Sequence, residues 1–244
     1  MAWLVSIAFW GFVLVTSMLL FPVASLIRAT SHPFDKRLVV LHRFTSFWAS
    51  LYSWCSPFWK LRIEGEENLP HEGAFVIVSN HQSLVDIFVL FRLSIHYKWV
   101  SKKENFRIPF IGWNMSLNRY ISIDRGSVKG HLRMMRDCER ALLDGNSIMI
   151  FPEGTRSIDG NIRPFKDGAF ELALRTGKGI LPIVIDGSSH ALPKKGFILR
   201  GTHRITIKIL PVIPFEDFSS GTAPSVRERV YSLIHAALVN LRRS

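Results

Sequence analysis

The stretch Ala74-Phe75-Val76-Ile77-Val78-Ser79-Asn80-His81-Gln82-Ser83-Leu84-Val85-Asp86-Ile87-Phe88-Val89-Leu90 decides how this chain folds. Residues 74–79 are an apolar run that reads as a buried strand. Leu84, Val85, Ile87, Phe88, Val89 and Leu90 begin an apolar helix. A strand that ends in a polar turn holding His and Asp is where an α/β sheet places chemistry. His81 falls in the turn and Asp86 in the first turns of the helix. A separation of five does not align two side chains on a regular helical face. It works if His81 lies just before the helix and swings back. The Asp86 carboxylate then holds one imidazole nitrogen and leaves the other free as a base. Taken alone, the pair also fits a chance spacing or a histidine beside a helix cap.

Outward from this stretch the same pattern recurs. Residues 61–65 predict a short edge strand, and the globular domain starts there. Residues 97–101 predict a second strand, followed by Lys102-Lys103-Glu104 and by Pro109 in the first turn of a short helix ending near Gly112. Residues 120–123 predict another strand, closed by Asp124-Arg125-Gly126. Ser127 caps a helix through Leu143 whose stripe is Leu132, Met135, Cys138, Glu139 and Leu142, with Gly145 ending it. Residues 147–151 form a buried strand that runs into Pro152-Glu153-Gly154-Thr155-Arg156-Ser157, a second polar turn at a strand's end. A helix over about 169–175, a strand at 180–185 and a half-exposed alternating strand at 204–210 follow. Pro224 opens a last helix with Val226, Val230, Leu233, Leu238 and Leu241 inward. The recurrence predicts an α/β fold, a mostly parallel sheet flanked by helices. Its polar turns gather on one edge, bringing together His81, Asp86, Glu153, Arg156 and Arg125.

The 244 residues fit one domain with an appendage, and the formal net charge is +12 with a pI near 10.2. Such a balance points to an anionic partner. Apolar and aromatic richness without a Lys/Arg tract favours membrane lipid over nucleic acid. Cys55 and Cys138 fit no zinc spacing and are too few for a disulfide framework. No charged residue occurs from Ala2 to Ile27. That is about 39 Å of helix at about 1.5 Å per residue, enough to span a bilayer. Pro22 kinks or ends this helix. Arg28, Lys36 and Arg37 then place the following chain on the cytoplasmic side of the inner (cytoplasmic) membrane. A second segment, residues 38–61, is dense in Trp, Tyr and Phe and suits the headgroup interface. Two arrangements stay open: a span followed by a surface helix, or a hairpin dipped into one leaflet. The chain divides into N-terminal membrane-associated helices, 1–60, and an α/β domain, 61–244.

Four motifs carry a resemblance. Asn80-His81-Gln82-Ser83-Leu84-Val85-Asp86 resembles the first motif of the 1-acylglycerol-3-phosphate acyltransferase family of glycerolipid acyltransferases. Lys102-Lys103-Glu104 with Pro109, Gly112 and Ile123-Asp124-Arg125 resembles the second. Phe151-Pro152-Glu153-Gly154-Thr155-Arg156-Ser157 resembles the third, and Leu181-Pro182-Ile183-Val184 the fourth. They cover about residues 80–185 in the family's order. Leu84 stands where the family often has Trp, Asn105 where Leu is usual, and Asn118 near a common Gly. The resemblance implies transfer of a fatty acyl chain from a thioester to the free hydroxyl of a lysophospholipid: lysophosphatidic acid first, another lysophospholipid as the alternative. The thioester is on coenzyme A or acyl carrier protein, with no cofactor and no metal. His81 and Asp86 are the implied catalytic pair. Arg125, Arg156 and Lys103 are the implied phosphate ligands, Glu153 orients the acceptor or Arg156, and Gly154 belongs to the same acceptor site.

Other classes stay in view. A hydrolase needs only water in place of the acceptor. A non-enzymatic binder explains the charge and the apolar N-terminus but not two polar turns holding His, Asp, Glu and Arg. No His-Glu-x-x-His, paired-Cys or P-loop pattern occurs.

Overall fold

Neighbouring side chains of a strand point to opposite faces, and here each face has its own core. In the strand that precedes His81, Ile77 joins one apolar cluster while Val76 and Val78 join the other. The computed structural model describes every residue except Met1, Lys195, Arg200 and Ser244. In chain order its strands are β1 (Trp59–Glu64), β2 (Val76–Ser79), β3 (Tyr97–Lys102), β4 (Ile121–Ile123), β5 (Ser147–Ile150), β6 (Ile180–Asp186) and β7 (His203–Ile209). They form one sheet in the order β1-β7-β6-β2-β5-β3-β4. Every neighbouring pair is parallel except β6 and β7. The carboxyl ends of β6, β2, β5, β3 and β4 therefore share one edge. The turns after β2, β3, β4 and β5 carry His81, Lys103, Arg125 and Glu153 to that edge.

The helices are α1 (Ala2–Ser31), α2 (Val39–Trp54), α3 (Val85–Leu90), α4 (Ile111–Leu117), α5 (Val128–Leu143), α6 (Gly168–Thr176), α7 (Ser188–Ala191) and α8 (Ala223–Arg243). Residues of α5, α6 and α8 form one core with Val76, Ile148 and Val184. Residues of α1, α2 and α3 form the other with Ile77, Met149, Leu181, Ile183 and the inward isoleucines of β7, Ile205, Ile207 and Ile209.

Several expectations change in detail. Helix α1 runs through Pro22 to Ser31. In α5 the buried stripe is Met134, Met135, Cys138 and Leu142, and Leu132 is exposed, because a stripe of period 3.6 cannot hold both Leu132 and Met134. In α8 Ile234 takes the inward place expected of Leu233 for the same reason. Helix α4 begins after Pro109 and continues past Gly112, where the glycine meets the backbone of Asn105 and Phe106 instead of ending a helix. The aromatic segment 38–61 is not an interfacial belt throughout. Trp48, Tyr52 and Trp59 are core residues, and only Phe47 and Trp54 among its large aromatics are exposed, each by about half.

Helix α1 docks along its whole length. Ser6, Val13, Ser17 and Ala24 are buried, seven, four and seven residues apart, which is one helical seam. The Tyr52 hydroxyl sits in this seam against Thr16 Oγ1 (3.1 Å) and Ser17 Oγ (3.3 Å) and accepts from Trp48 Nε1 (2.6 Å). Ser6 Oγ accepts from the Leu199 amide, and Trp10 Nε1 donates to the Phe197 carbonyl. The opposite face, including Trp3, Leu4, Ile7, Leu14, Val15, Met18, Leu19 and Leu26, is exposed and apolar. The helix is long and apolar enough to cross a membrane by length and composition.

A buried amine fastens the loop between α1 and α2 to the sheet. Lys98, 4% exposed on β3, donates from Nζ to the Arg37 carbonyl (2.8 Å) and the Asn118 carbonyl (3.0 Å). Burial first, and then Arg119, Arg28 and Arg37, lower its pKa to about 7 against the opposing pull of Asp35. A neutral amine has two N–H donors, matching the two carbonyls. In the unfolded chain the amine keeps its proton to the ordinary lysine range, so between about pH 7 and about pH 10.4 the unfolded state binds more protons and stability rises with pH. Lys98→Met removes this slope. We expect denaturant midpoints of the wild type to climb above pH 7 relative to Lys98→Met, which also loses about 1–3 kcal/mol for two unpaired carbonyls. Parallel pH profiles would refute the buried neutral amine.

Candidate active site

Past Ser79 the β2 backbone leaves the sheet, and the Asn80 side chain continues the pairing in its place. Asn80 Nδ2 donates to the Ile185 carbonyl (2.8 Å), and Oδ1 accepts from the Ile185 amide (2.8 Å). An amide side chain thus stands in for a strand residue and fixes where the turn begins. His81 follows in the turn and Asp86 lies in the first turn of α3. The structure brings the two together: His81 Nδ1 lies 2.8 Å from Asp86 Oδ2. The same oxygen accepts from the backbone amides of Gln82 (2.6 Å) and Ser83 (2.8 Å). Asp86 Oδ1 accepts from the Ser188 hydroxyl. Asp86 is fully buried, so these donors replace its water.

With Asp86 accepting at Nδ1, that nitrogen carries the proton and Nε2 holds a lone pair. Among the described residues no hydrogen bond occupies Nε2. The imidazole stacks on Phe151, with centroids 3.8 Å apart and planes 7° from parallel. Trp99 backs Phe151 at 5.6 Å. The ring is thus held by an aromatic wall on one face and a carboxylate at one edge, with 15% of its side chain open to solvent. This arrangement can accept a proton from a hydroxyl.

Glu153 is 4% exposed, and its described hydrogen bonds run to backbone. Oε1 accepts from the His81 amide (2.6 Å) and Oε2 from the Arg163 amide (2.9 Å). Burial pushes its pKa up to about 7 against the pull of these two amides. The sequence expectation had Glu153 orienting the acceptor or Arg156; what it orients in the structure is the His81 turn. The Ser157 amide adds a bond to the His81 carbonyl (2.8 Å), so the two polar turns are stitched on both sides of His81. Gly154 completes the second turn at φ +70°, with the Lys166 side chain packed over it.

The remaining expected residues stand apart from this hydrogen-bonded unit. Arg156 is half-buried, its carbonyl accepts from Lys194 Nζ (2.6 Å), and among the described residues its guanidinium has no carboxylate partner. Lys103 is ion-paired with Asp124 beside Arg125. Partial burial lowers the pKa of Arg125, with Glu104 opposing. Sequence reasoning missed Ser188, the packing role of Phe151, and the cations Lys166 and Lys194. It missed Arg242 as well, which reaches from α8 to the Gly160 carbonyl (2.7 Å), a group also bonded by Gln82 Nε2 (3.0 Å). Only Lys166, next to the second turn, left a local signal.

Comparison with known proteins agrees with this geometry. The acyltransferase family model matches residues 60–186, about half of the chain. A 1-acyl-sn-glycerol-3-phosphate acyltransferase of Chlamydomonas reinhardtii is 34% identical over 232 residues, 94% of this chain and 69% of that protein. The beta form of the human enzyme of that name is 30% identical over 77% of this chain and 68% of its own length. A chloroplast enzyme of the same name from Arabidopsis thaliana is 39% identical over 68% of this chain, and the matched part is 47% of its length. The chain thus spans about half the length of its chloroplast relative. The crystal structure of the 1-acyl-sn-glycerophosphate (LPA) acyltransferase PlsC from Thermotoga maritima superposes with a TM-score of 0.81 at 22% identity, covering 100% of this chain and 99% of that one, and shares the fold. From the motif-bearing sheet edge and these relatives together, this chain belongs to the 1-acyl-sn-glycerol-3-phosphate acyltransferase family.

Proposed function

We propose that the protein transfers a fatty acyl chain from an acyl thioester to the sn-2 hydroxyl of 1-acylglycerol-3-phosphate, giving phosphatidic acid. The observation that carries this reading is the His81–Asp86 pair, with Nδ1 held at 2.8 Å and Nε2 open. His81 Nε2 takes the acceptor's hydroxyl proton as that oxygen attacks the thioester carbonyl carbon. The tetrahedral intermediate collapses with cleavage of the C–S bond, and the imidazolium returns the proton to the departing thiolate. Asp86 keeps the Nδ1 tautomer and stabilises the imidazolium. Coenzyme A or acyl carrier protein carries the thioester, and no cofactor is needed. Arg125 and Arg156 bind the acceptor phosphate, since guanidinium forks match phosphate oxygens, and Lys103 adds charge from its pair with Asp124. Glu153 and Gly154 shape the turn that presents Arg156.

The enzyme works at a membrane surface, on its cytoplasmic side. Helix α1 touches the folded body from Ser6 to Ala24, so it lies along that body. A bilayer crossing would take the sheet with it. The exposed apolar face of α1 enters one leaflet, and the site on the same side of the sheet meets lipid at the headgroup level.

The test is thiol release by detergent-purified protein, with lysophosphatidic acid set against other lysophospholipids and acyl-CoA against acyl carrier protein. We expect release with lysophosphatidic acid and none from His81→Ala. Wild-type turnover in His81→Ala would reject the base, and release without an acceptor would mark a hydrolase. Arg156→Ala should raise the KM for lysophosphatidic acid by about tenfold or more with a smaller change in kcat, as loss of a charge-assisted contact predicts. An unchanged KM would remove Arg156 from the phosphate site. Glu153→Gln sets an NH2 donor against a backbone N–H. We expect a lower melting temperature and loss of turnover; a variant matching the wild type in both would show that the Glu153 brace is dispensable.

A further inference from the structure

Three of the four donors to Asp86 converge on one oxygen, Oδ2: His81 Nδ1 and the amides of Gln82 and Ser83. A carboxylate is planar and turns about its Cβ–Cγ bond as one piece, so a donor on the other oxygen holds Oδ2 in place as well. The fourth donor is the Ser188 hydroxyl on Oδ1. It lies 102 residues further along the chain, on an element of its own. Both side chains are fully buried, so water cannot take the place of that hydroxyl.

Ser188 has one hydroxyl proton and two acceptors within reach, Asp86 Oδ1 and, at 3.3 Å, Gln82 Oε1. The charged and nearer acceptor takes it. The position of Ser188 is itself over-determined. Asn80 clamps Ile185 on both backbone groups, three residues before it. Gly187 turns the chain out of β6 at φ +84°, against the Arg204 carbonyl, where a Cβ would lie 2.0 Å from the oxygen. The Ser83 hydroxyl bonds the Leu192 carbonyl (2.7 Å) just beyond α7.

We propose that Ser188 is a positioning residue for the reaction: its hydroxyl locks the Asp86 carboxylate plane so that Oδ2 stays aligned with His81 Nδ1. This rests on the reading of His81 as the base. Without the hydroxyl, the carboxylate turns more freely about Cβ–Cγ and Oδ2 swings with it, so the Nδ1 hydrogen bond loses its direction and Nε2 no longer points steadily at the acceptor hydroxyl. Substrate contacts are untouched.

Ser188→Ala changes little volume, so it tests the hydroxyl alone. We expect kcat to fall about tenfold or more, as loss of a hydrogen bond to a charged group implies. KM for both substrates stays near wild type, the melting temperature falls by a few degrees because a buried carboxylate oxygen loses its donor, and Ser188→Thr restores kcat. In the proton NMR spectrum, the downfield Nδ1–H resonance that disappears in His81→Ala shifts or broadens in Ser188→Ala. Full kcat in Ser188→Ala, or a loss of kcat with that resonance unmoved, would overturn the proposal. If His81→Ala itself turns over normally, the base assignment fails instead; an inactive His81→Ala beside a fully active Ser188→Ala rejects only the role of Ser188.

Discussion

The structure depends on one buried carboxylate. Asp86 has no exposure to solvent, and a carboxylate in that position is tolerable only when protein donors replace its water. It draws those donors from three sources: the turn it belongs to, the imidazole five residues earlier, and a hydroxyl after β6. Satisfying Asp86 therefore forces the β2 turn, α3 and the β6–α7 corner into one arrangement. Glu153 does the same for the other side of the turn, accepting from His81 and Arg163. Two buried acids, each answered by backbone amides, fix the single imidazole between them.

The sheet supplies the frame for that arrangement. Five strands end at one edge because they run parallel, and the short turns there have no partner strand to pair with. Side chains make up the deficit, Asn80 by imitating a strand residue and Arg242 by reaching across from the last helix. On the face that carries Phe151 and Trp99, α1 and α2 complete the core, so the apolar N-terminus is part of the same folded body as the site. The exposed apolar face of α1 and the His81 imidazole are held in register by shared packing, with Tyr52 joining the two helices.

What was legible in the sequence follows from range. The period of apolar residues revealed nearly every strand and helix, because that signal is local and the central strands are covered on both faces. The His81–Asp86 pairing was also local, five residues in one turn. Lys98, Tyr52 and Trp48 were not legible as core anchors, since whether a polar or aromatic residue faces lipid, water or protein depends on what packs above it. Glu153 was read as orienting the acceptor or Arg156; its hydrogen bond to the His81 amide, 72 residues away, has no side chain at the other end to betray it. Ser188 and Arg242 left no trace for the same reason: each acts on residues far along the chain. Antiparallel β7 was seen as a half-exposed strand, and its direction could not be read from alternation alone.

The central claim is that the Asp86 carboxylate makes His81 a base. The most direct measurement is kcat of Asp86→Asn, with its folding checked by thermal melting and with lysophosphatidic acid and a saturating acyl thioester as substrates. Asparagine keeps the shape but cannot stabilise an imidazolium or enforce the Nδ1 tautomer. The account predicts a folded protein whose kcat is down by about three to four orders of magnitude, the scale seen when the acid of a histidine–carboxylate pair is made an amide. A folded Asp86→Asn protein with kcat within a few-fold of wild type would contradict it.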